Sequence, residues 1–584
     1  PAINMGDYTS YGNGNLDLAG NDREIGPALD AGAYESPYGE ITPDTAGIVY
    51  VNTNVVGGNG NGHSWLTAAP ELADALVAAK TNPTITQIWV AQGTYKPLYS
   101  PATATFGFNQ DRDNAFLLVN DVKVYGGFQN ANETNIDQRD TVNLNTILSG
   151  ERSGDNCHHV VISSGPVGTA CIDGFTIRDG YAHLSGTGVI SIDGNIISRT
   201  NGAGIYLTYS GPAIENCAII NNDAATSGGG IFNYKSPLFS IVNCLISDNS
   251  ASSIGGGMAN YQASPVLENC VISNNTTLGG EGGGLYTRSI TSVIPAISIH
   301  IKNSIITGNS APNGGGIYLK DRMTVLLTNC TLADNTSTGA IFSENNTYCS
   351  VEFRNTLLWD NTTGFEPGSG TNTYTSFYSL IQDRNDFPSN GNLDGTNIAN
   401  DPLFTDVLGG DFTLLPCSPA INAGSNAEYT LMGGDLALDM DLANNPRLYD
   451  GTIDMGAYEL QTPPISQIVP TFTQISPVCS GTSFSLPALS DNGISGTWSP
   501  APNNAQTTTY TFTPTPGPCI ATGVVNMTVT VNPLDDATFD YTTSVVCTES
   551  IFISPSSIAT SGGTFTSQAG LVIDAVTGEI DVAA

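Results

Sequence analysis

Short apolar runs return along the middle of this chain at nearly constant intervals. Asn followed by Cys or another small residue recurs at Asn216, Asn243, Asn269, Asn303, Asn329 and Asn355, at spacings of 27, 26, 34, 26 and 26 residues. Three positions after each Asn stands an aliphatic residue: Ile219, Ile246, Ile272, Ile306, Leu332 and Leu358. Six positions after it stands a second Asn: Asn222, Asn249, Asn275, Asn309, Asn335 and Asn361. A third register sets an apolar residue at a glycine-rich edge, at Ile205, Ile231, Met258, Leu285, Ile317 and Ile341.

A repeat of this length with three short strand-like runs predicts a solenoid whose coils stack at the strand spacing of ~4.8 Å. The helical periods of ankyrin repeats and the Leu ladders of leucine-rich repeats are missing. Asn at a bend tolerates left-handed backbone, and its amide can bond the same Asn one coil away. The aliphatic register should point inward. The residues just before each Asn (Glu215, Glu268, Lys302, Thr328, Arg354) should face water. The long coil between Asn269 and Asn303 implies a loop inserted near 289–295. The fold class expected is all-β: a right-handed parallel β-helix followed by immunoglobulin-like β-sandwich domains.

The edges carry their own signals. A strand is expected at Gly47–Asn54, a helix at Ala69–Lys80 and a strand at Ile88–Pro97, with the helix covering the first coil. Asp17–Glu35 matches Asp441–Glu459 without a gap, with ten of 19 positions identical. PAIN precedes each copy, at Pro1–Asn4 and Pro419–Asn422. Residues 1–35 therefore read as the C-terminal cap of a preceding module, 36–47 as a linker and 48–460 as the complete β-helix. The PAIN-to-GAYE segment is expected to close its far end. After residue 460 the composition turns to Thr, Pro and Ser. Residues 461–533, with Trp498 and an expected Cys479–Cys519 disulfide, read as an immunoglobulin-like sandwich, and 534–584 as the start of a further β module. The chain is read as a piece of a longer repetitive protein.

Charge narrows the function. Of 584 residues only 12% are charged, about half the usual ~25%. Lys and Arg number 17 against 53 Asp and Glu, a net charge of −36. Such a surface repels phosphate backbones, so nucleic acid is excluded as a partner. Ca²⁺ is a natural counter-ion for it outside a cell. No stretch approaches 18 consecutive apolar residues, so no membrane-spanning helix is expected.

Candidate chemistry follows from these registers. On the glycine-edge strands the expected outward residues are Tyr206, Phe232, Ala259, Tyr286, Tyr318 and Phe342. The stacked rings form either a strip for sugar faces or a self-packed ladder, the latter favoured. No acid stands among them, whereas glycoside hydrolysis needs two facing carboxylates. Arg447 with Asp454 and Glu459, and Arg23 with Asp30 and Glu35, recur together and are expected as a buried ion pair in each cap. Asp435, Asp439 and Asp441 are the candidate Ca²⁺ ligands. The five His show no metal-ligand spacing, and Cys217, Cys244, Cys270 and Cys330 should stack as small buried residues.

The GGGI and NC-x-I-x-x-N coils resemble the β-helix repeats of bacterial polymorphic outer-membrane proteins and pectate-lyase-like surface proteins. DPLF (Asp401–Phe404), SPAIN (Ser418–Asn422) and DMGAYE (Asp454–Glu459) resemble the β-helix C-terminal region of secreted multidomain bacterial proteins. CSGTSFSLP (Cys479–Pro487), TYTFTP (Thr509–Pro514) and TGEID (Thr577–Asp581) are similar to immunoglobulin-like repeats of large surface proteins exported by type IX secretion, some of them gliding adhesins. The resemblance implies an extracellular, cell-surface segment for display or adhesion. Its partners would be surface glycans or other surface proteins, and the secretion machinery in transit. The alternatives are a carbohydrate-active β-helix, lyase or hydrolase, and a purely structural stalk.

Overall fold

The computed structural model describes residues 40–102, 112–152, 154–183, 188–289, 297–345, 347–387, 390–517, 519–521, 523–542 and 552–582. The cap residues Arg23, Asp30 and Glu35 and the loop at 290–295 lie outside these. Two compact units divide at Ser466 and Gln467, and each is described by itself.

The first unit is a right-handed parallel β-helix. Each coil runs through three sheets in turn, here A, B and C. In one coil the strands are Ile205–Thr208 in A, Ala213–Glu215 in B and Ala218–Ile220 in C. Sheet A has nine strands, sheet B eleven and sheet C ten. Every pairing within them is parallel, with Ile205 opposite Ile231 and Ile219 opposite Ile246. The aliphatic registers read from the sequence thus become inward columns of one continuous core with Ile205, Ile214, Ile219, Ile231, Ile241 and Ile246 fully buried. Six large apolar side chains withdrawn from water at ~1.5–3 kcal/mol each explain why such short strands hold.

Both asparagine registers form as expected. Asn216, Asn243, Asn269, Asn303, Asn329 and Asn355, at the B–C turn, all adopt left-handed backbone with φ between 48° and 54°. Asn222, Asn249, Asn275, Asn309, Asn335 and Asn361 form a buried ladder in which each Nδ2 donates to the next Oδ1 at 3.0 Å. Cys217, Cys244, Cys270 and Cys330 are buried free thiols, as expected.

The helix at the opening runs Leu72–Thr81, and its Leu72, Leu76 and Ala79 join the β-helix core. It covers the first coil. The far-end expectation is corrected. The segment from Phe404 to Glu459 packs along the flank, burying the outer face of sheet C (Ile305, Ala333, Leu357, Trp359, Leu380) under Phe412, Met455 and Ala457. That also corrects the water-facing column. Lys302 and Arg354, at 7% and 9% exposure, and fully buried Thr328 lie beneath this clasp. Lys302 pairs with Glu268 at 2.7 Å and Asp439 at 3.1 Å, and Arg354 pairs with Glu352 and Glu428. Sequence local to one coil cannot show that a later segment, Asp439 for Lys302 and Glu428 for Arg354, returns to cover it.

In the second unit, Gly496–Ser499, Thr508–Pro514 and Val525–Val529 form an antiparallel sheet. Trp498 packs against Phe472 and Phe512 there.

Candidate functional site

The aromatic column on sheet A exists but is closed to a sugar. Tyr206, Phe232, Tyr286 and Tyr318 are only 2–6% exposed, and Phe342 is half-buried. Their centroids lie 4.9 Å apart for Tyr206–Phe232, 5.7 Å for Tyr286–Tyr318 and 5.3 Å for Tyr318–Phe342, the last two pairs within 10° of parallel. Rings standing out from strands ~4.8 Å apart cover one another's faces, which are the surfaces a sugar would need. Ala259 would break the stack. Tyr261, two residues on and on the same side of the strand, fills the gap at 5.6 Å from both Phe232 and Tyr286. His159 extends the column at its start, 5.2 Å from Tyr206. A hairpin, Val189–Ile192 with Asn195–Ser198, brings Ile192 and Ile197 against Tyr206 and Phe232. Ser198 N donates to the Tyr206 hydroxyl at 3.3 Å. Burial pushes the Tyr206 phenol up to about 12 and raises Tyr286 and Tyr318 further. The glycan-strip reading of this row is therefore corrected in favour of mutual packing.

Several charges on the coils pair with one another. Arg288 reaches Asp321 one coil on at 2.6 Å, and Lys320 reaches Glu344 at 2.8 Å. Arg139 holds Asp173 at 2.9 Å, and Asp173 in turn accepts from Asn216 at 2.8 Å. Arg199 on the hairpin grips Asp113, with Nε to Oδ1 at 2.7 Å.

The cap triad assembles, though not as the expected ion pair. Arg447 is fully buried and donates to the carbonyls of Gly456 at 2.7 Å and Asp454 at 3.2 Å. The Asp454 carboxylate accepts from Asn422 N and Leu460 N, both at 2.7 Å. The Glu459 carboxylate accepts from Tyr449 N and Asp454 N, both at 2.9 Å. Tight backbone turns present bare N–H and C=O groups, so each charge is used to satisfy them. Burial and the Asp454 charge hold Glu459 up at about 8, against the lowering pull of Arg447. The three candidate Ca²⁺ ligands diverge. Asp435 is exposed and caps Ala437 N, Asp439 meets the Lys302 ammonium and Tyr429, and buried Asp441 accepts from Ala443, Asn445 and Glu459 backbone N–H groups. Among the described residues no group of three His, Cys, Asp or Glu could hold a metal.

His158 and His159 are buried, with pKa values pushed down by that burial to about 3 and 4, and His300 is likewise down at about 4. The Cys479–Cys519 bridge does not form: Cys479 is an exposed free thiol, whereas Cys519 is disulfide-bonded. Strand alternation located Cys519 in a sheet unit but carries no information on its partner.

Sequence reasoning missed the exposed chemistry, which sits at the A–B turn. Tyr209 is 43% exposed and Tyr348 56%. The Lys235 ammonium lies 5.6 Å from the Tyr209 ring centre and 5.1 Å from that of Tyr234, and Arg322 lies 4.7 Å from that of Tyr348. These residues fall three to seven positions after their sheet A strands begin, with no fixed register and no repeated residue type to mark them.

The family model of the right-handed β-helix region matches residues 161–314. No curated protein matches the chain. Among solved structures, pectate lyase Pel9A is similar at 15% identity and a TM-score of 0.44, over 72% of this chain and 97% of that one. Pectin methylesterase PemA from Erwinia chrysanthemi is similar at 11% identity and a TM-score of 0.33, over 56% of this chain and 92% of that one. Likeness this distant says nothing of the chemistry of this chain.

Proposed function

We propose that this chain is a non-catalytic extracellular segment of a large cell-surface protein, serving display and adhesion. The observation that carries the reading is the engagement of charged and aromatic groups with each other from coil to coil. The rings of sheet A stack in one column, and Arg288–Asp321 and Lys320–Glu344 tie neighbouring coils. Such contacts tie each coil to the next. The bonded Cys519 fits an oxidising compartment, and a charge of −36 suits a solvated exterior. The immunoglobulin-like resemblance of the second unit and the export route by type IX secretion belong to the same reading. Its partners are surface glycans or surface proteins. The test incubates the full chain with acidic and neutral polysaccharides and with cells bearing them. Cell binding without product release is expected, and release of new sugar ends would overturn the proposal.

A further inference from the structure

Six residues of the A–B turn take left-handed backbone: Tyr209, Lys235, Gln262, Asp321, Arg322 and Tyr348, with φ between 51° and 61°. Bulky side chains adopt that conformation only at a cost, and such strain collects where function demands it. Two clusters stand out on this edge. At one, the Tyr209 and Tyr234 rings meet nearly at right angles, 87°, with Lys235 beside both and exposed Leu238 close in sequence. At the other, Arg322 lies over Tyr348. The intervening cations Arg288 and Lys320 are consumed by Asp321 and Glu344. Lys235 and Arg322 enter no ion pair among the described residues. Their coils are three apart, because Ile231 pairs with Met258, Met258 with Leu285 and Leu285 with Ile317. At ~4.8 Å per coil the two cations are separated by roughly 14 Å along the axis, the span of several sugar units and not of one.

We propose that the A–B turn is a binding edge for an extended sugar chain bearing carboxylate or sulfate groups, gripped at Tyr209, Tyr234 and Lys235 and again at Arg322 and Tyr348. The proposal rests on the adhesion reading and names its ligand. The faces of exposed Tyr209 and Tyr348 turned away from Lys235 and Arg322 take the C–H faces of pyranose rings, while the ammonium and guanidinium take the anionic substituents. The acidic background of the chain does not forbid this. At physiological salt the screening length is about 8 Å, shorter than the separation of the clamps, so each cation acts on its own neighbour.

The test titrates the full chain, by calorimetry at physiological salt, with a hyaluronan hexasaccharide, a chondroitin sulfate hexasaccharide and cellohexaose. Binding of either anionic oligomer at least tenfold tighter than cellohexaose is expected. Hyaluronan binding assigns the carboxylate as sufficient, and binding of chondroitin sulfate alone assigns the sulfate. The double variants Tyr209→Asn/Lys235→Asn and Arg322→Asn/Tyr348→Asn should each weaken binding at least tenfold without lowering the melting temperature, because Asn holds the same backbone at the B–C turn. No binding by either anionic oligomer, equal binding of cellohexaose, or equal binding by the variants would overturn the edge. Lost binding with a lowered melting temperature would overturn it too, returning the clamps to a packing role. Release of new reducing ends ends the non-catalytic reading and leaves the edge standing. Cell adhesion without oligosaccharide binding does the reverse.

Discussion

At the B–C turn of this β-helix the left-handed position is Asn in six consecutive coils, and at the A–B turn it is Tyr, Lys, Gln, Asp, Arg or Tyr. The backbone is nearly the same, with φ of 49° at Asn303 and 51° at Tyr209. Asn enters this region at little cost, whereas most residues lose ~1–2 kcal/mol there. At Asn303, Asn329 and Asn355 the B–C turn is covered by the C-terminal clasp, with Asn303 Nδ2 donating to the Tyr429 hydroxyl at 2.9 Å, Asn329 Nδ2 to Asp454 O at 3.0 Å and Asn355 Nδ2 to Ser425 O at 3.1 Å, while Asn243 in an earlier coil stays exposed. The A–B turn keeps Tyr209 and Tyr348 in solvent. One turn is optimised for the fold and the other gives up stability for what it displays.

The largest effect that would break this contrast lies beside the displayed turn, in the buried stack of sheet A. Tyr286→Ala with Tyr318→Ala should cost about 3 kcal/mol apiece, as for other buried aromatics, and should leave oligosaccharide binding intact. A double variant that melts like the parent but loses binding would restore the stack as the ligand strip. Next comes the interior ladder. Asn275→Ala removes the acceptor of Asn249 Nδ2 and the donor to Asn309 Oδ1, both at 3.0 Å. Asn309 Oδ1 keeps the Asn275 backbone N–H, but Asn249 loses the acceptor of both its N and its Nδ2, which should cost about 3 kcal/mol, read from urea unfolding. A loss below ~1 kcal/mol would mean the ladder is ornamental.

These two columns were legible to different degrees for a physical reason. The Asn ladder repeats one residue at one spacing because every coil must satisfy the same buried amides, so Asn222 to Asn361 could be read directly. The aromatic column tolerates substitution between registers. Ala259 broke it on paper while Tyr261 mended it in space, and burial of rings that point outward depends on their neighbours in adjacent coils. The cap was legible as a unit through its repeat. Its docking site was not, since Lys302 and Arg354 look like ordinary surface charges until Asp439 and Glu428 return to meet them. The A–B clamps carry no repeat at all, as expected of residues selected for something other than stacking.

Acid gives a third, smaller handle. His158, His159 and His300 stay neutral in the folded chain until the pH approaches 3 to 4, whereas the unfolded chain takes up those protons near 6.5. The unfolded state therefore binds more protons in that window. The stabilisation is complete above pH 6.5 and is lost as pH falls towards 4. His159→Phe, which keeps a ring beside Tyr206, should flatten the fall in the urea midpoint between those pH values. An unchanged slope would place the His159 proton elsewhere. A still smaller change addresses the turns themselves. Asn243→Tyr should cost about 1–2 kcal/mol, the usual left-handed penalty, and no loss would remove the energetic basis of the comparison.

The converse substitution is the most direct test. Thermal unfolding of the full chain carrying Tyr209→Asn and Lys235→Asn should show the β-helix transition at the parent temperature or a few degrees above it, since the swap relieves two strained residues and removes only exposed contacts. A melting temperature clearly below that of the parent would contradict the account, because it would make the Tyr209–Lys235 cluster part of what holds the coils together and not something the coils display.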